Sequence, residues 1–192
     1  AIARARQGVK VIREEQKGPT FARERGYREA TGDVIAFIDA DTRMSSAWCE
    51  RLQQEFATDT GLACLSGPYR YYDLAPLRCF LLNNLFWYVA GLPAYFFVGY
   101  MAIAGNCAFR KKVLDQIGGL DTSIAFYGDD TDMARRASAF GKVRFSMLFV
   151  LESYARRLRG EGVFKVGYHY MVNFLSVVVR KKPTTGAYKD FR

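Results

Sequence analysis

The run Val34-Ile35-Ala36-Phe37-Ile38 ends abruptly in Asp39-Ala40-Asp41, and this junction constrains the chain more than any other. Five apolar residues rich in β-branched side chains, entered through Gly32-Asp33, predict a strand buried on both faces. Side chains alternate along an extended chain, so Asp39 and Asp41 point the same way at its carboxyl end. In an open α/β sheet that end faces the ligand crevice. Two carboxylates on one side suit a hard divalent cation that also holds a diphosphate, although an Asp after a strand is also an ordinary turn or helix-capping residue.

The neighbouring segments supply a sheet around this strand. Val9-Lys10-Val11-Ile12 is a short strand candidate, and Lys17-Gly18-Pro19 starts a helix that carries Arg23 and Arg25 and runs through Ala30. A cation on that helix is within reach of the acidic strand end, with ordinary surface charge as the alternative. Ser45 or Ser46 caps a second helix, whose Trp48, Leu52 and Phe56 recur on one face as core packing. Leu62 to Gly67 is another buried strand candidate. Strand and helix alternate, which predicts a largely parallel α/β sheet flanked by helices.

From Cys79 to Phe109 there are 31 residues without a charge, more than the roughly 20 that a membrane-spanning helix requires. Asn83, Asn84, Gly91, Pro93, Gly99, Gly105 and Asn106 interrupt the run. A single crossing would also separate the acids before it from those after it. The reading adopted is an apolar surface helix near Leu81 to Val89 and a buried strand near Met101 to Phe109, with core burial as the alternative for the helix. Beyond a short helix from Lys111 to Gly119, a second acidic cluster, Tyr127-Gly128-Asp129-Asp130-Thr131-Asp132, opens a helix to about Phe140. Carboxylates there cap a helix favourably; paired with the first cluster, one acid group suits a metal and the other a general base.

Charge and cysteine usage bound the rest. The net charge is +9, and residues 153 to 192 hold nine Lys or Arg against Glu161 and Asp190. This basic segment is interleaved with aromatic residues and fits an anionic membrane surface or a phosphorylated substrate, or simply a solvated face; no nucleic-acid-binding motif accompanies it. Within it, 166 to 179 is an apolar stretch too short to span, followed at once by Arg180-Lys181-Lys182 and then Pro183. Cys49, Cys64, Cys79 and Cys107 form no C-x-x-C pair and have no nearby His, so they read as small buried residues in a reducing compartment. His169, the sole histidine, has no companion ligand and reads as a surface or interfacial side chain. The chain does not open on a signal peptide pattern.

Five segments in order carry a resemblance. They are Ala22-Arg23-Glu24-Arg25-Gly26, Ala30 to Asp41, Ala104-Gly105-Asn106-Cys107-Ala108-Phe109-Arg110, Ile117-Gly118-Gly119-Leu120-Asp121, and Gly128-Asp129-Asp130-Thr131-Asp132-Met133-Ala134-Arg135-Arg136. Together, over about residues 8 to 158, they resemble the successive motifs of family 2 glycosyltransferases with the GT-A (Rossmann-like) fold. The resemblance implies inverting, metal-dependent transfer of a sugar from a nucleotide-diphosphate sugar to an acceptor hydroxyl. Asp39 would contact the nucleotide or assist the metal, Asp41 would coordinate Mn²⁺ or Mg²⁺, and Arg23 would touch the nucleotide. Asp130 would be the general base, with Asp129 beside it where the family more often has Glu. Arg156 and Arg157 would stabilise the departing diphosphate.

The chain departs from that pattern twice. The family's first strands, which read the base, have no counterpart ahead of residue 8, so the expected sheet lacks them and the donor nucleotide is not specified. Gln-x-x-Arg-Trp, which accompanies processive synthases, is absent, since the tryptophans are Trp48 and Trp87 alone; a single transfer is expected. The expected organisation is a catalytic domain over 1–158 and a basic, apolar membrane-associating segment over 159–192. A peripheral enzyme on the cytoplasmic face follows, with an acceptor glycan or lipid-linked sugar as partner. The competing reading is a non-catalytic, membrane-associated binding module with the same fold.

Overall fold

The computed structural model describes residues 7–124 and 126–184. Four strands form the main sheet: β1 (Val34–Ile38), β3 (Leu62–Ser66), β5 (Asn106–Arg110) and β6 (Lys142–Phe145), in the order β1-β5-β3-β6. β5 runs antiparallel to both its neighbours, while β3 and β6 are parallel. Strands β1, β3 and β6 therefore share one direction and β5 opposes them. The α/β architecture is the expected one, with a mixed sheet in which three of four strands are codirectional. A smaller sheet of β2 (Thr42–Arg43), β7 (Leu151–Ser153) and β4 (Tyr69–Tyr71) sits in the order β2-β7-β4.

Helices cover both faces of the main sheet, as apolar strands require. On one side α1 (Pro19–Glu29) and α6 (Asp129–Ala137) bury Tyr27, Met133 and Ala134 against Ile35, Phe37, Cys64 and Phe109. On the other, α2 (Ser46–Thr58) brings Trp48 and Phe56 onto Leu62, Leu65, Ala108, Phe149 and Leu151. Trp48 stacks on Phe149 with ring centroids 4.5 Å apart, a geometry that adds to the area buried.

Several local expectations need correction. β1 alternates rather than being buried throughout: Ile35 and Phe37 are covered, Ala36 and Ile38 exposed. It is the edge of the sheet among the described residues, and a groove of about 590 Å³ runs between it and α1. Val9 to Ile12 forms no strand, and all four residues lie at the surface or half-buried. The strand expected from Met101 to Phe109 is confined to Asn106–Arg110. Of the cysteines, Cys64 and Cys107 are buried but Cys49 and Cys79 are partly exposed.

The first part of the uncharged region lies in one helix from Pro76 to Val98, longer than expected. It comprises α3 (Pro76–Phe80) and α4 (Leu92–Val98) joined through wider π-helical turns at Leu81–Leu85 and Trp87–Gly91. Pro76 starts it at a position where a missing N–H costs nothing, and Gly99 ends it in the left-handed conformation at φ 83°. The remaining helices are α5 (Lys111–Gln116), α7 (Arg156–Glu161) and α8 (Val163–Arg180). α8 buries Val166, Asn173 and Val177 and ends at Lys181.

Candidate active site

Chain reversal places the acids. Ile38 pairs with Asn106, so the carboxyl end of β1 lies beside the start of β5, where Gly105 leaves room for Asp39. A Cβ on Gly105 would come 2.2 Å from Asp39 Oδ2 and 2.1 Å from the Tyr69 hydroxyl, so no other residue fits without displacing both. Asn106 holds this corner: its Nδ2 donates to the carbonyls of Gly67, Pro68 and Phe149, and its Oδ1 accepts from Trp48 Nε1 at 2.9 Å. Trp48 is thus more than core packing.

Arg23 joins the two acidic clusters. Its Nη2 donates to Asp39 Oδ1 and its Nη1 to Asp129 Oδ2, each at 2.9 Å, with the side chain only 15% exposed. Burial works against its charge, but Asp129 and Asp39 more than offset this and raise its pKa. Arg25, by contrast, pairs with Glu29 on the outer face of α1. Asp39 Oδ2 accepts from the Tyr69 hydroxyl at 3.1 Å, so both its oxygens are engaged.

Asp129 and Asp130 open α6 after Gly128, whose φ of 89° demands glycine. Asp129 is buried, and desolvation with the neighbouring Asp130 charge pushes its pKa up to about 7 against the opposing pull of Arg23. Asp130 is half-buried; burial raises its pKa too, opposed by N–H donors from Thr131 at 2.7 Å and Ala104 at 3.3 Å. Asp132, in contrast, is structural, because it is buried between Arg135 and Arg136.

Asp41 lies half-exposed at the edge of the small sheet. Its Oδ2 accepts from Arg156 Nη2 at 2.8 Å. Arg157 points elsewhere, donating to the Tyr127 hydroxyl at 3.3 Å and lying 4.1 Å over the Phe126 ring. That places it against Phe126 and Tyr127, just ahead of Asp129 in the chain, rather than on Asp41. His169 stacks on Tyr127 with centroids 5.7 Å apart, an interfacial role as expected.

Among the described residues no three Asp, Glu, His or Cys side chains converge on one point. An all-protein metal cage is therefore not built here. The donor set does suit Mn²⁺ or Mg²⁺, which commonly take one or two carboxylates and complete their shell with phosphate and water. Asp41 offers an accessible carboxylate, but Ala40 and Asp41 form a turn in which Thr42 N–H donates to Asp39 C=O at 3.2 Å, so the extended alternation expected to aim Asp39 and Asp41 the same way does not hold.

The pattern of Glycosyl transferase family 2 matches residues 1–118. The chain belongs to that family. A glucosyl-dolichyl phosphate glucuronosyltransferase of Haloferax volcanii is 26% identical over 129 residues, which is 65% of this chain and 41% of the relative. A mannosyltransferase from Pyrobaculum calidifontis, solved with GDP-Man and Mn²⁺, superposes with TM-score 0.60 at 18% identity, covering 86% of this chain and 45% of that one. Glucosyl-3-phosphoglycerate synthase from Mycobacterium tuberculosis, solved with Mn²⁺, UDP-Glc and phosphoglyceric acid, gives 0.55 at 19% identity, over 92% and 60%. The family 2 chain thus shares the GT-A fold of these enzymes and spans less than half the length of the curated relative.

Tyr69 and Asn83 were the site residues least visible in the sequence. Asn83 clamps the 76–98 helix to β4, accepting from Tyr71 N–H and donating to Tyr71 C=O, each at 2.8 Å. An uncharged run broken by Asn was the available signal; nothing local marked Tyr69.

Proposed function

We propose that this protein is an inverting glycosyltransferase moving a single sugar from a nucleotide-diphosphate donor to an acceptor hydroxyl. The observation that carries the reading is the double ion pair of Arg23. It fastens the acid at the strand end to the acids that open α6, so a donor-binding cluster and a proton-accepting cluster form one site. Asp130 is the base, because it is the more accessible acid and its raised pKa makes it a better proton acceptor near neutral pH. Asp129 is committed to Arg23 and holds the site's charge balance. Asp41, assisted by Asp39, would hold Mn²⁺ or Mg²⁺, as the metals in related structures suggest. Bound there, the metal would neutralise charge on the diphosphate leaving group. Arg23 and Asp39 take the nucleotide, Arg156 the diphosphate, and Arg157 the acceptor side.

The acceptor we propose is lipid-linked or membrane-proximal. α8 supports this: its Tyr170 packs edge-on against Tyr127, two residues before the acids that open α6, with ring centroids 5.4 Å apart. The dolichyl phosphate named for the Haloferax relative points the same way. We assign residues 1–158 to catalysis and 159–192 to membrane association; residues 185–192 lie outside the described residues. Four free thiols fit the cytoplasmic face.

The test is a panel of UDP- and GDP-sugars with Mn²⁺ and candidate acceptors, following nucleoside diphosphate release by the whole protein. Asp41→Asn should reduce transfer by orders of magnitude while leaving the folded spectrum unchanged. Undiminished turnover of Asp41→Asn, or of wild type in excess EDTA, overturns the metal assignment.

A further inference from the structure

The guanidinium of Arg156 occupies the Asp41 carboxylate, the group read above as the metal ligand. The two residues are 115 apart in sequence, yet Nη2 and Oδ2 meet at 2.8 Å, with the side chains 50% and 40% exposed. Among the described residues neither side chain has another hydrogen-bond or ion-pair partner. The backbone around Arg156 is well held: Tyr154 N–H donates to Asp41 C=O, Ala155 N–H to Asp73 Oδ1 at 2.7 Å, and Thr42 pairs with Ser153 across the β2–β7 ladder. Arg159 adds bonds to Asp73 and the Tyr154 hydroxyl. The main chain is anchored, then, and the guanidinium alone is free to exchange partners.

A divalent ion on Asp41 would meet this guanidinium as a like charge at contact distance. Half-exposure leaves the Asp41–Arg156 pair little net stability of its own, so an incoming ligand has little to break. A diphosphate alters the balance, because a planar guanidinium binds phosphate oxygens bidentately and more strongly than one exposed carboxylate oxygen. We propose that Arg156 is a counter-ion that exchanges: it neutralises Asp41 in the donor-free protein and transfers to the diphosphate when metal and donor arrive together. Metal alone is then disfavoured, and metal with diphosphate is favoured. Once the diphosphate has left, the guanidinium would return to Asp41 and disfavour retention of the bare metal. This rests on the metal reading of Asp41 given above. It adds the claim that a single side chain couples the two ligands, a coupling that must be reciprocal.

Opposite signs for the two ligands test it. Arg156→Met keeps the aliphatic stem and removes the charge, whereas Arg156→Lys keeps the charge. Mn²⁺ affinity of the donor-free whole protein is measured by the loss of the free-Mn²⁺ magnetic resonance signal. Pyrophosphate, a diphosphate with no base, is then titrated calorimetrically at excess Mn²⁺. The expected result for Arg156→Met is Mn²⁺ bound at least about threefold more tightly without diphosphate, and pyrophosphate bound about tenfold more weakly, with Arg156→Lys near wild type for Mn²⁺ and between wild type and Arg156→Met for pyrophosphate, because an ammonium meets phosphate as a point charge. A residue that merely supports the fold would weaken both or neither. Unchanged or weaker Mn²⁺ binding by Arg156→Met, with Asp41→Asn abolishing binding, overturns the exchange and keeps the metal site. Equal Mn²⁺ binding by Asp41→Asn and wild type overturns both.

Discussion

Asp130 is half-buried while Asp129 is buried against Arg23, and this division sets what each substitution does. Asp130→Asn preserves shape and leaves α6 stable, but removes the base; transfer should fall by about 10² to 10⁴ with diphosphate binding intact. Weakened donor binding with normal turnover at saturation would make Asp130 a donor ligand instead. The pH dependence follows from the two raised pKa values, which belong to the pair rather than to either acid. Transfer needs the ionised base, so the rate should rise with pH, with its inflection above the ordinary carboxylate range. Stability runs the other way: a folded-state pKa above the unfolded one means that the pair's contribution is present in acid and is lost as pH rises towards about 7. Arg23 opposes both shifts, so Arg23→Met should move the inflection of the pH–rate profile further up. A downward or unchanged inflection would show that Arg23 does not tune the base.

Elements meet at Asn106, and the cost of losing it is an element-scale quantity. Its side chain ties β5 to α2 through Trp48 and to the turns at Gly67–Pro68 and Phe149, and it is fully buried. Asn106→Ala leaves a buried indole N–H and several carbonyls unpaired. At about 1–3 kcal/mol for each unsatisfied group, the loss should reach about 3 kcal/mol or more and lower Tm by roughly 6–12 °C for a domain of this size. A Tm within about 2 °C of wild type would show that water replaces the amide there. The contrast between Asn106 and β1 explains what the sequence made legible. Val34 to Ile38, Pro19 to Glu29 and the helix after Ser45 announce themselves through apolar runs, Pro placement and capping, all of them local. The antiparallel insertion of β5 between β1 and β3 is a pairing between distant segments, so the alternation of strands and helices indicated the α/β class but not the antiparallel ladders on either side of β5. The Arg23–Asp129 and Arg156–Asp41 pairs, 106 and 115 residues apart, lie beyond any local pattern. Those residues were named through the motif resemblance, while the cross-links between them came from the fold.

For the whole molecule the exposed apolar helices dominate. The 76–98 helix passes the length and composition test for a membrane span, and just 11% of its most apolar window is buried. It does not divide the site: Asp39 before it and Asp129 after it share Arg23, which places both its ends in one folded unit. On the proposed membrane contact, a helix roughly 35 Å long with Phe97 91% exposed would lie in the interface rather than cross it. On α8, Phe164, Tyr168, Met171, Leu175 and Val179 recur at helical spacing on the outer side, opposite buried Val166, Asn173 and Val177. Arg180, Lys181 and Lys182 follow at its end, exposed. Near an anionic leaflet each basic residue contributes about 1 kcal/mol, so the triad supplies roughly 3 kcal/mol beyond apolar burial. The whole protein should therefore float with liposomes containing anionic lipid, bind neutral ones far less, and release as salt shortens the Debye length. Replacing all three basic residues by Ala should weaken binding about a hundredfold. Phe96→Ser with Phe97→Ser should weaken it on anionic and neutral vesicles alike, because the apolar contribution does not depend on headgroup charge. Binding that ignores lipid charge would remove the triad from the membrane contact, and binding untouched by the Phe substitutions would remove the 76–98 helix.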